Sequence, residues 1–474
     1  MKQYFNNARV AVVIVYVLAM FMSALDSTIV NVALPAIGEA FDVPPSATGT
    51  INIGYLVSLA MFLPAAGWFG DRFGTKRVFL AALALFTIAS ALCGIAHNMF
   101  TLNLYRILQG IGAGFLTPVG MAILFRTFTH EERPKLSRIL IIPIALAPAL
   151  GPVIGGLLVD VLSWRWIFYM NIPVGILALV IGKVYLQEHL EEAVGKFDYK
   201  GFLLSLSGFS MSIYALTQGT IKGWTSPEIL ITGLVGISFM IALVLVELRI
   251  DKPMINLSLL KDPMFRIMSL ISLCSAAGLL GMLYVFPLMY QNALNVSALH
   301  TGLTTFLEAL GLMAASQIMP WTLKRLGLQR LLVFSLLGTI IVFILIALSA
   351  SSNPWLLRVL MFGIGFFLGQ TVGAAQISAF KHIDSASMSR ATTLFNMQNR
   401  LGSVLGVAIL SSVLGASDAA GAEHIGLLNY QYALFGAAIF LIIAWIIAMR
   451  FKETENKRKP QLQSEDVERS KGIG

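Results

Sequence analysis

Runs of about twenty apolar residues recur from one end of this chain to the other, and they dictate its solvent. Hydrocarbon offers peptide groups no hydrogen bonds, so a segment crossing ~30 Å of lipid must pair its own backbone, as a helix of about twenty residues does. Fourteen such runs can be marked, at roughly 10–34, 47–69, 78–96, 101–124, 139–161, 166–186, 202–219, 229–248, 268–291, 301–323, 331–350, 355–379, 392–415 and 428–450. The boundaries at 202–219 and 229–248 are the least distinct. Only 12% of residues are charged, against about 25% in soluble domains. The chain reads as an all-α polytopic membrane protein. Lys2 and Arg9 precede the first run, but it is too long for a signal-peptide core and no small-residue cleavage site follows. It reads as the first span.

Basic residues then set the expected orientation. With fourteen spans and an inner N-terminus, the inner loops collect Arg72, Lys76 and Arg77; Arg126, Arg133, Lys135 and Arg138; Lys196 and Lys200; Arg249, Lys252, Lys261 and Arg266; Lys324, Arg325 and Arg330; Lys381 and Arg390. The outer side receives Arg165, Lys222 and Arg358. The net charge of +9 is thus a topology signal and not a nucleic-acid footprint. Cys93 and Cys274 both fall inside spans, which disfavours a structural disulfide.

A repeat runs beneath this pattern. "GWFGDRFGTKR" after the second run pairs with "PWTLKRLGLQR" after the tenth, placing Arg72, Gly74 and Arg77 on Arg325, Gly327 and Arg330 at an offset of 253. The same offset lays Gly110 and Gly112 on Gly363 and Gly365. Two six-helix halves with two helices inserted between them account for an offset of this size.

Several of these stretches resemble known signatures. "GWFGDRFGTKR" resembles the loop 2–3 motif of the major facilitator superfamily, "LYRILQGIGAGF" its helix 4 motif, and "APALGPVIGG" the helix 5 motif of its antiporters. "LDSTIVNVALP" and "WRWIFYMNIPVG" resemble the fourteen-helix drug:proton antiporters of the EmrB/QacA type. The resemblance implies a major facilitator fold: a six-helix bundle over 1–186, two inserted helices and linkers over 187–263, a second bundle over 264–450 and a cytoplasmic tail over 451–474. It implies rocking halves, a bacterial inner-membrane location with both termini cytoplasmic, and proton-driven efflux.

Three intramembrane charges are the candidate proton-coupling residues. Asp26 is the one charged residue between Val10 and Leu34, some 24 Å from the inner edge at 1.5 Å per residue. Arg106 falls at a similar depth, and such groups face each other or a water-filled cavity. A static ion pair and a titrating site both fit that placement. Glu308 in "TTFLEALGLM" is a second acid, read from burial alone as a proton, substrate or structural group. Tyr55, Gln109, Tyr284, Tyr290, Asn396 and Asn399 are the candidate substrate contacts, by analogy with cavity-lining spans of the superfamily. The conformational set is Gly67, Asp71, Arg72, Gly74 and Arg77 with Gly151, Pro152, Gly155 and Gly156. Pro152 is expected to kink its helix and the glycines to let backbones approach. Asp71 is expected to latch one end of the molecule against residues 389–394 when the opposite end is open.

No Walker loop, zinc or haem spacing or hydrolase triad is present, so neither enzyme, metal nor cofactor is expected. The expected partners are protons, membrane lipids and small lipophilic substrates, cationic or zwitterionic, handled by a monomer. A single-metabolite or lipid exporter, a nutrient symporter and a non-transporting sensor or lipid-handling scaffold are the alternatives. The "GPVIGG" motif disfavours the symporter, and the intramembrane charges disfavour the scaffold.

Overall fold

The computed structural model describes residues 2–43, 45–129, 132, 136, 146, 147, 150, 151, 154–159, 161–190, 197–250, 253, 255–294, 296, 298–349, 354–385, 387–418 and 427–451. Pro152, Arg133, Lys135, Arg138, Lys196, Lys252 and the tail after Phe451 lie outside them. Among the described residues are fifteen α-helices and no strand. They are α1 (Lys2–Phe41), α2 (Pro45–Phe62), α3 (Ala66–Phe73), α4 (Thr75–Gly94), α5 (Met99–Thr127), α6 (Trp166–Tyr169), α7 (Asn171–Tyr185) and α8 (Tyr199–Lys222). Then follow α9 (Pro227–Glu247), α10 (Pro263–Leu288), α11 (Ala298–Leu326), α12 (Leu328–Leu348), α13 (Pro354–Ala379), α14 (Met388–Asp418) and α15 (Leu427–Arg450).

Among the described residues, eleven segments are long and apolar enough to cross a membrane, three short of the expected fourteen. The helices α8 and α14, at 24 and 31 residues, are not among the eleven. α14 alone holds Arg390, Asn396, Asn399 and Arg400. The fifth run, 139–161, lies mostly outside the described residues, of which 154–159 are helical.

Local sequence explains the breaks. Pro64 sits in a 3₁₀ turn, Leu63–Ala65, between α2 and α3. Asn98 caps α5, its side chain accepting from the Thr101 amide at 2.9 Å while Thr101 answers in a capping box. Pro287 comes just before a π-helical turn, Met289–Ala293, that closes α10.

Helices α1–α7 pack among themselves, as do α10–α15. The α8–α9 pair lies beside the junction, α8 touching α2 from one set and α14 from the other. Backbones approach closely wherever glycine repeats. A Cβ on Gly110 or Gly114 of α5 would strike the carbonyls of Tyr55 and Leu59 on α2. On α13, Gly365 lies against the carbonyl of Glu308 and Gly369 against Leu312 of α11. Gly402 and Gly406 bring α14 onto the carbonyls of Leu273 and Ala277 on α10. Small residues at such crossings trade side-chain volume for backbone contact, the currency of helix association in lipid.

The repeat is visible in this packing, with one correction. Gly74 and Gly327 both take positive φ, 95° and 76°, and both introduce the next helix, as the offset of 253 requires. Further on, Gly112 faces α4 whereas its supposed mate Gly365 faces α11. The helices α5 and α13 begin at Met99 and Pro354, an offset of 255. Two extra residues before α13 therefore place Gly110 on Gly365 and Gly114 on Gly369, each pair facing equivalent neighbours. Gly112 then corresponds to Phe367, whose ring packs over Gly338 of α12. The bulk has moved from one helix to the other. Through these equivalent contacts Tyr55 corresponds to Glu308, which keeps the offset of 253 for α2 and α11.

Not all expected packing glycines do the same work. Gly151 faces Thr28 and Gly155 faces Ile29 of α1, while Gly156 has open space at its Cβ position. Gly365→Ala should therefore destabilise the protein by about 1–3 kcal/mol through overpacking, whereas Gly156→Ala should be neutral. Thermal melts of the two purified variants check this; equal melting temperatures would contradict the contact assignment.

Candidate functional site

Asp26, halfway along α1, and Arg106, in the second turn of α5, have no exposed surface. Their side chains meet at 2.6 Å, Arg106 Nη1 donating to Asp26 Oδ2. The same nitrogen donates to Gln109 Oε1 at 2.7 Å, and Gln109 Nε2 returns a hydrogen bond to Asp26 Oδ1 at 2.9 Å. One helical turn separates Arg106 from Gln109, so α5 presents both to the same carboxylate. Asn171, the first residue of α7, donates to Asp26 Oδ1 at 3.1 Å and to Ser90 Oγ on α4 at 3.0 Å. Ser90 in turn donates to the Phe168 carbonyl of α6 at 2.9 Å. Tyr55 of α2 covers the guanidinium at 4.3 Å, and its hydroxyl lies 3.4 Å from Ser23 Oγ.

Helices from α1 to α7 thus converge on one ion pair. Burying two charges is costly, and only additional hydrogen bonds make it tolerable. Asp26 accepts three such bonds. Arg106 keeps Nε and Nη2 without a hydrogen-bond partner among the described residues.

A second cluster joins the two sets of helices. Asp71 of α3 is fully buried and contacts two guanidinium groups, Arg126 Nη2 of α5 at 3.3 Å and Arg390 Nε of α14 at 3.4 Å. Arg126 Nε also donates to the Ser385 carbonyl at 3.0 Å, and Thr392 Oγ1 donates to the Pro118 carbonyl at 3.0 Å. Above them Gly67 lies against Thr393, Arg390 and Ser389, close enough that a Cβ would crowd all three. Phe125 and Phe380 pack at 4.9 Å across the same junction. This end, where Arg72, Lys76, Arg77, Arg126 and Arg390 gather, is closed. The expected contact between Asp71 and 389–394 is present, although Asp71 meets the Arg390 side chain and not the free amides of the helix start.

The remaining expected residues divide. Gln109 and Tyr55 belong to the Asp26 cluster. Glu308 on α11 is 6% exposed, and its Oε1 has no hydrogen-bond partner among the described residues. No hydrogen bond or ion pair joins it to Asp26. Tyr290 is buried and stacked on Phe286 at 5.2 Å, in the π turn. Asn396 donates to the Thr392 carbonyl, and the Asn399 carbonyl accepts from Ser403. Tyr284 is 39% exposed and is not hydrogen-bonded to the cluster. Arg72 and Arg77 are exposed, and Arg77 approaches Glu188 at 3.6 Å.

Sequence reasoning passed over Asn171, Ser90, Arg126 as a latch partner, and Arg400. Asn171 stands in the quoted "WRWIFYMNIPVG", and Arg400 is a lone charge in the run 392–415, the same signal that singled out Asp26.

The sequence profile of the Major Facilitator Superfamily matches residues 16–407, and matches again over 268–472. The chain belongs to the Major Facilitator Superfamily. Its members are transporters and not enzymes, and it is accordingly a multi-pass membrane transporter. It is 30% identical over 411 residues to the multidrug resistance protein B homolog of Mycobacterium tuberculosis, covering 84% of this chain and 75% of that one. It is likewise 30% identical over 434 residues, 90% of each chain, to the putative multidrug resistance protein MdtD of Escherichia coli O157:H7. In fold it is similar to the human organic anion transporter MFSD10 (TETRAN), with a TM-score of 0.66 at 16% identity, over 93% of this chain and 99% of that one.

The latch yields a measurable expectation. Ser389 is 1% exposed and both native cysteines are buried. Ser389→Cys should be alkylated slowly, and adding Asp71→Asn should speed alkylation about tenfold, the effect of weakening a charge-assisted contact by ~1.4 kcal/mol. Unchanged kinetics would mean that Asp71 does not hold this end shut.

Proposed function

We propose that this transporter is a proton-coupled exporter of lipophilic compounds working by alternating access. The carrying observation is the buried Asp26–Arg106 pair, with its carboxylate saturated by Arg106, Gln109 and Asn171. Protonating Asp26 would leave the Arg106 charge buried and uncompensated, a change worth about 3–5 kcal/mol. Binding one proton then alters how α1 sits against α5, which is what coupling requires. The names of the relatives, multidrug resistance proteins, support efflux as the direction. Proton entry in exchange would draw on ~2.3 kcal/mol per charge per 100 mV of membrane potential.

In this reading fourteen helices span a cell membrane, with the basic end and both termini cytoplasmic. The halves are 1–186 and 264–450, the inserted pair lies within 187–263, and 451–474 is a cytoplasmic tail. The contacts at the basic end support reading the structure as an outward-facing state, with the Asp71 contacts to Arg126 and Arg390 as the latch that an inward-facing state would release. Glu308 is the second proton-coupling or substrate carboxyl, standing where the first half has Tyr55. Tyr55, Gln109, Tyr290, Asn396 and Asn399 line or support the substrate path, with Tyr284 a more distant contributor. A cavity of about 430 Å³ between α2, α5, α8 and α9, lined by Ile53, Val57, Met61, Ile107 and Met211 with Ser58 and Tyr214, suits an apolar guest arriving from the lipid. The cationic preference expected from Asp26 loses its support, because neither carboxylate oxygen is left free.

In proteoliposomes with an imposed proton gradient, Asp26→Asn should insert and fold yet lose substrate-dependent proton flux by at least about tenfold. Glu308→Gln should change proton stoichiometry or substrate range with little effect on expression. Export against a gradient by Asp26→Asn at the parent's rate would remove Asp26 from the mechanism.

A further inference from the structure

One charge takes no part in either cluster. Arg400 lies twelve residues into α14, about 18 Å from its start at 1.5 Å per residue. No hydrogen bond, ion pair or ring contact holds its side chain among the described residues. The opposite face of the helix, carrying Gly402 and Gly406, is pressed onto the backbone of α10 at Leu273 and Ala277, so Arg400 points away from its own helix set. It points toward the first set, because it stands two turns beyond Thr393, on the face of α14 that meets Gly67 of α3. Yet Arg400 is exposed whereas Tyr55 is buried. A guanidinium in the middle of a long helix, exposed and on the face turned to the partner half, is open to a ligand.

Neither intramembrane acid serves Arg400. Asp26 is fully used by Arg106, Gln109 and Asn171. No ion pair joins Arg400 to Glu308 or to any other acid among the described residues. A cation at such depth costs at least ~2.5 kcal/mol unless it is solvated or paired. A planar guanidinium with a free fork fits a carboxylate, sulfonate or phosphate in two-point fashion.

We propose that Arg400 is the binding residue for an acidic group on the transported compound, so that the substrate class is anionic or zwitterionic amphiphiles and not simple lipophilic cations. This rests on the transport reading above and deepens it. The acid meets Arg400 in the space between the halves, while the apolar body lies along neighbouring Met, Phe and Tyr side chains. An anionic lipid headgroup shares this chemistry with a free organic acid, and the two are told apart by experiment.

The test is equilibrium binding to purified full-length protein in neutral detergent, using naphthalene dyes matched in size. One carries a sulfonate, one a quaternary ammonium, and one is neutral. The parent should bind the sulfonate dye about ten- to a hundredfold more tightly than the ammonium dye. Arg400→Gln should erase that preference and leave the neutral dye unaffected, while Arg400→Lys should keep part of it. Dihexanoyl phosphatidylglycerol as competitor assigns the source. Displacement of the sulfonate dye at lower concentration than a free alkyl sulfonate needs makes the natural acid a lipid, and the reverse makes it a solute. Equal affinities in the parent, preference for the ammonium dye, binding of neither, or an unchanged preference in Arg400→Gln overturns the proposal. If Arg400→Gln does not fold, the parent's preference and the Arg400→Lys shift still decide. Binding needs no proton gradient, so sulfonate binding through Arg400 without proton flux defeats the transport reading alone. Proton flux lost in Asp26→Asn together with charge-blind binding defeats this inference alone.

Discussion

A carboxylate and a guanidinium 2.6 Å apart, wholly out of water, organise the first half of this transporter. Neither charge could stay buried alone, so every helix that touches them is constrained. α5 brings Arg106 and Gln109 on one face, α7 begins with Asn171 beneath the carboxylate, and α4 supplies Ser90 to orient Asn171. Tyr55 closes the guanidinium from α2, and the glycines of α5 allow α2 that close. The polar centre and the small-residue seams are therefore one design. Close backbone approach is what lets α5 and α7 reach a single acid, with side chains of α2 and α4 packed behind them.

The second half has the same scaffold without that centre. Its own glycines on α13 bring α11 to the same distance, but the residue at the contact is Glu308 where the first half has Tyr55. Met361 takes the place of Arg106 and is likewise buried. An acid without a cation stands opposite an acid with one. The two carboxyls thus answer differently to a proton. Protonating Glu308 removes a charge that nothing offsets, whereas protonating Asp26 strands one that had been offset. A device with both can respond to protonation in each half with opposite electrostatic consequences.

Much of this was legible in the residues. Asp26 and Arg106 announce themselves as lone charges in apolar runs, and the depth arithmetic places them together. Asp71 was assigned to the start of α14, and that contact is present. What failed to show was anything that depends on side-chain direction or helix register. Asn171 looks like an ordinary helix-start residue until α4 and α1 are packed beside it. Arg126 reads as one more basic loop residue until α5 lies next to α3. The repeat misregistered by two because both halves place glycines two apart, and a gap-free match cannot see an insertion in a loop. The polarity of α14 made its span easy to find by eye but blurred Arg400 among Asn396, Asn399 and Arg390. The domain boundaries and the roles of the individual substrate contacts rest on resemblance, because nothing local to those residues encodes them.

The placement of charges along α14 ties these pieces together. At its start Arg390 is committed to Asp71 and Thr392 to the Pro118 carbonyl, both across the junction. Two turns further on, Asn396 turns back to its own helix, and at Arg400 the side chain has no commitment. The helix therefore passes from a sealed segment to an open one within about 15 Å, at 1.5 Å per residue. Because α14 is held to α10 by direct backbone contact at Gly402 and Gly406, it moves with the second half as a rigid lever. Releasing Asp71 at one end must then shift Arg400 relative to Tyr55 and the Asp26 cluster at the other. In the proposed mechanism a ligand bridging Arg400 to the first half would resist that shift, and a proton on Asp26 would weaken the packing it pivots on. Both act on one rigid element, which is the physical condition for one to influence the other.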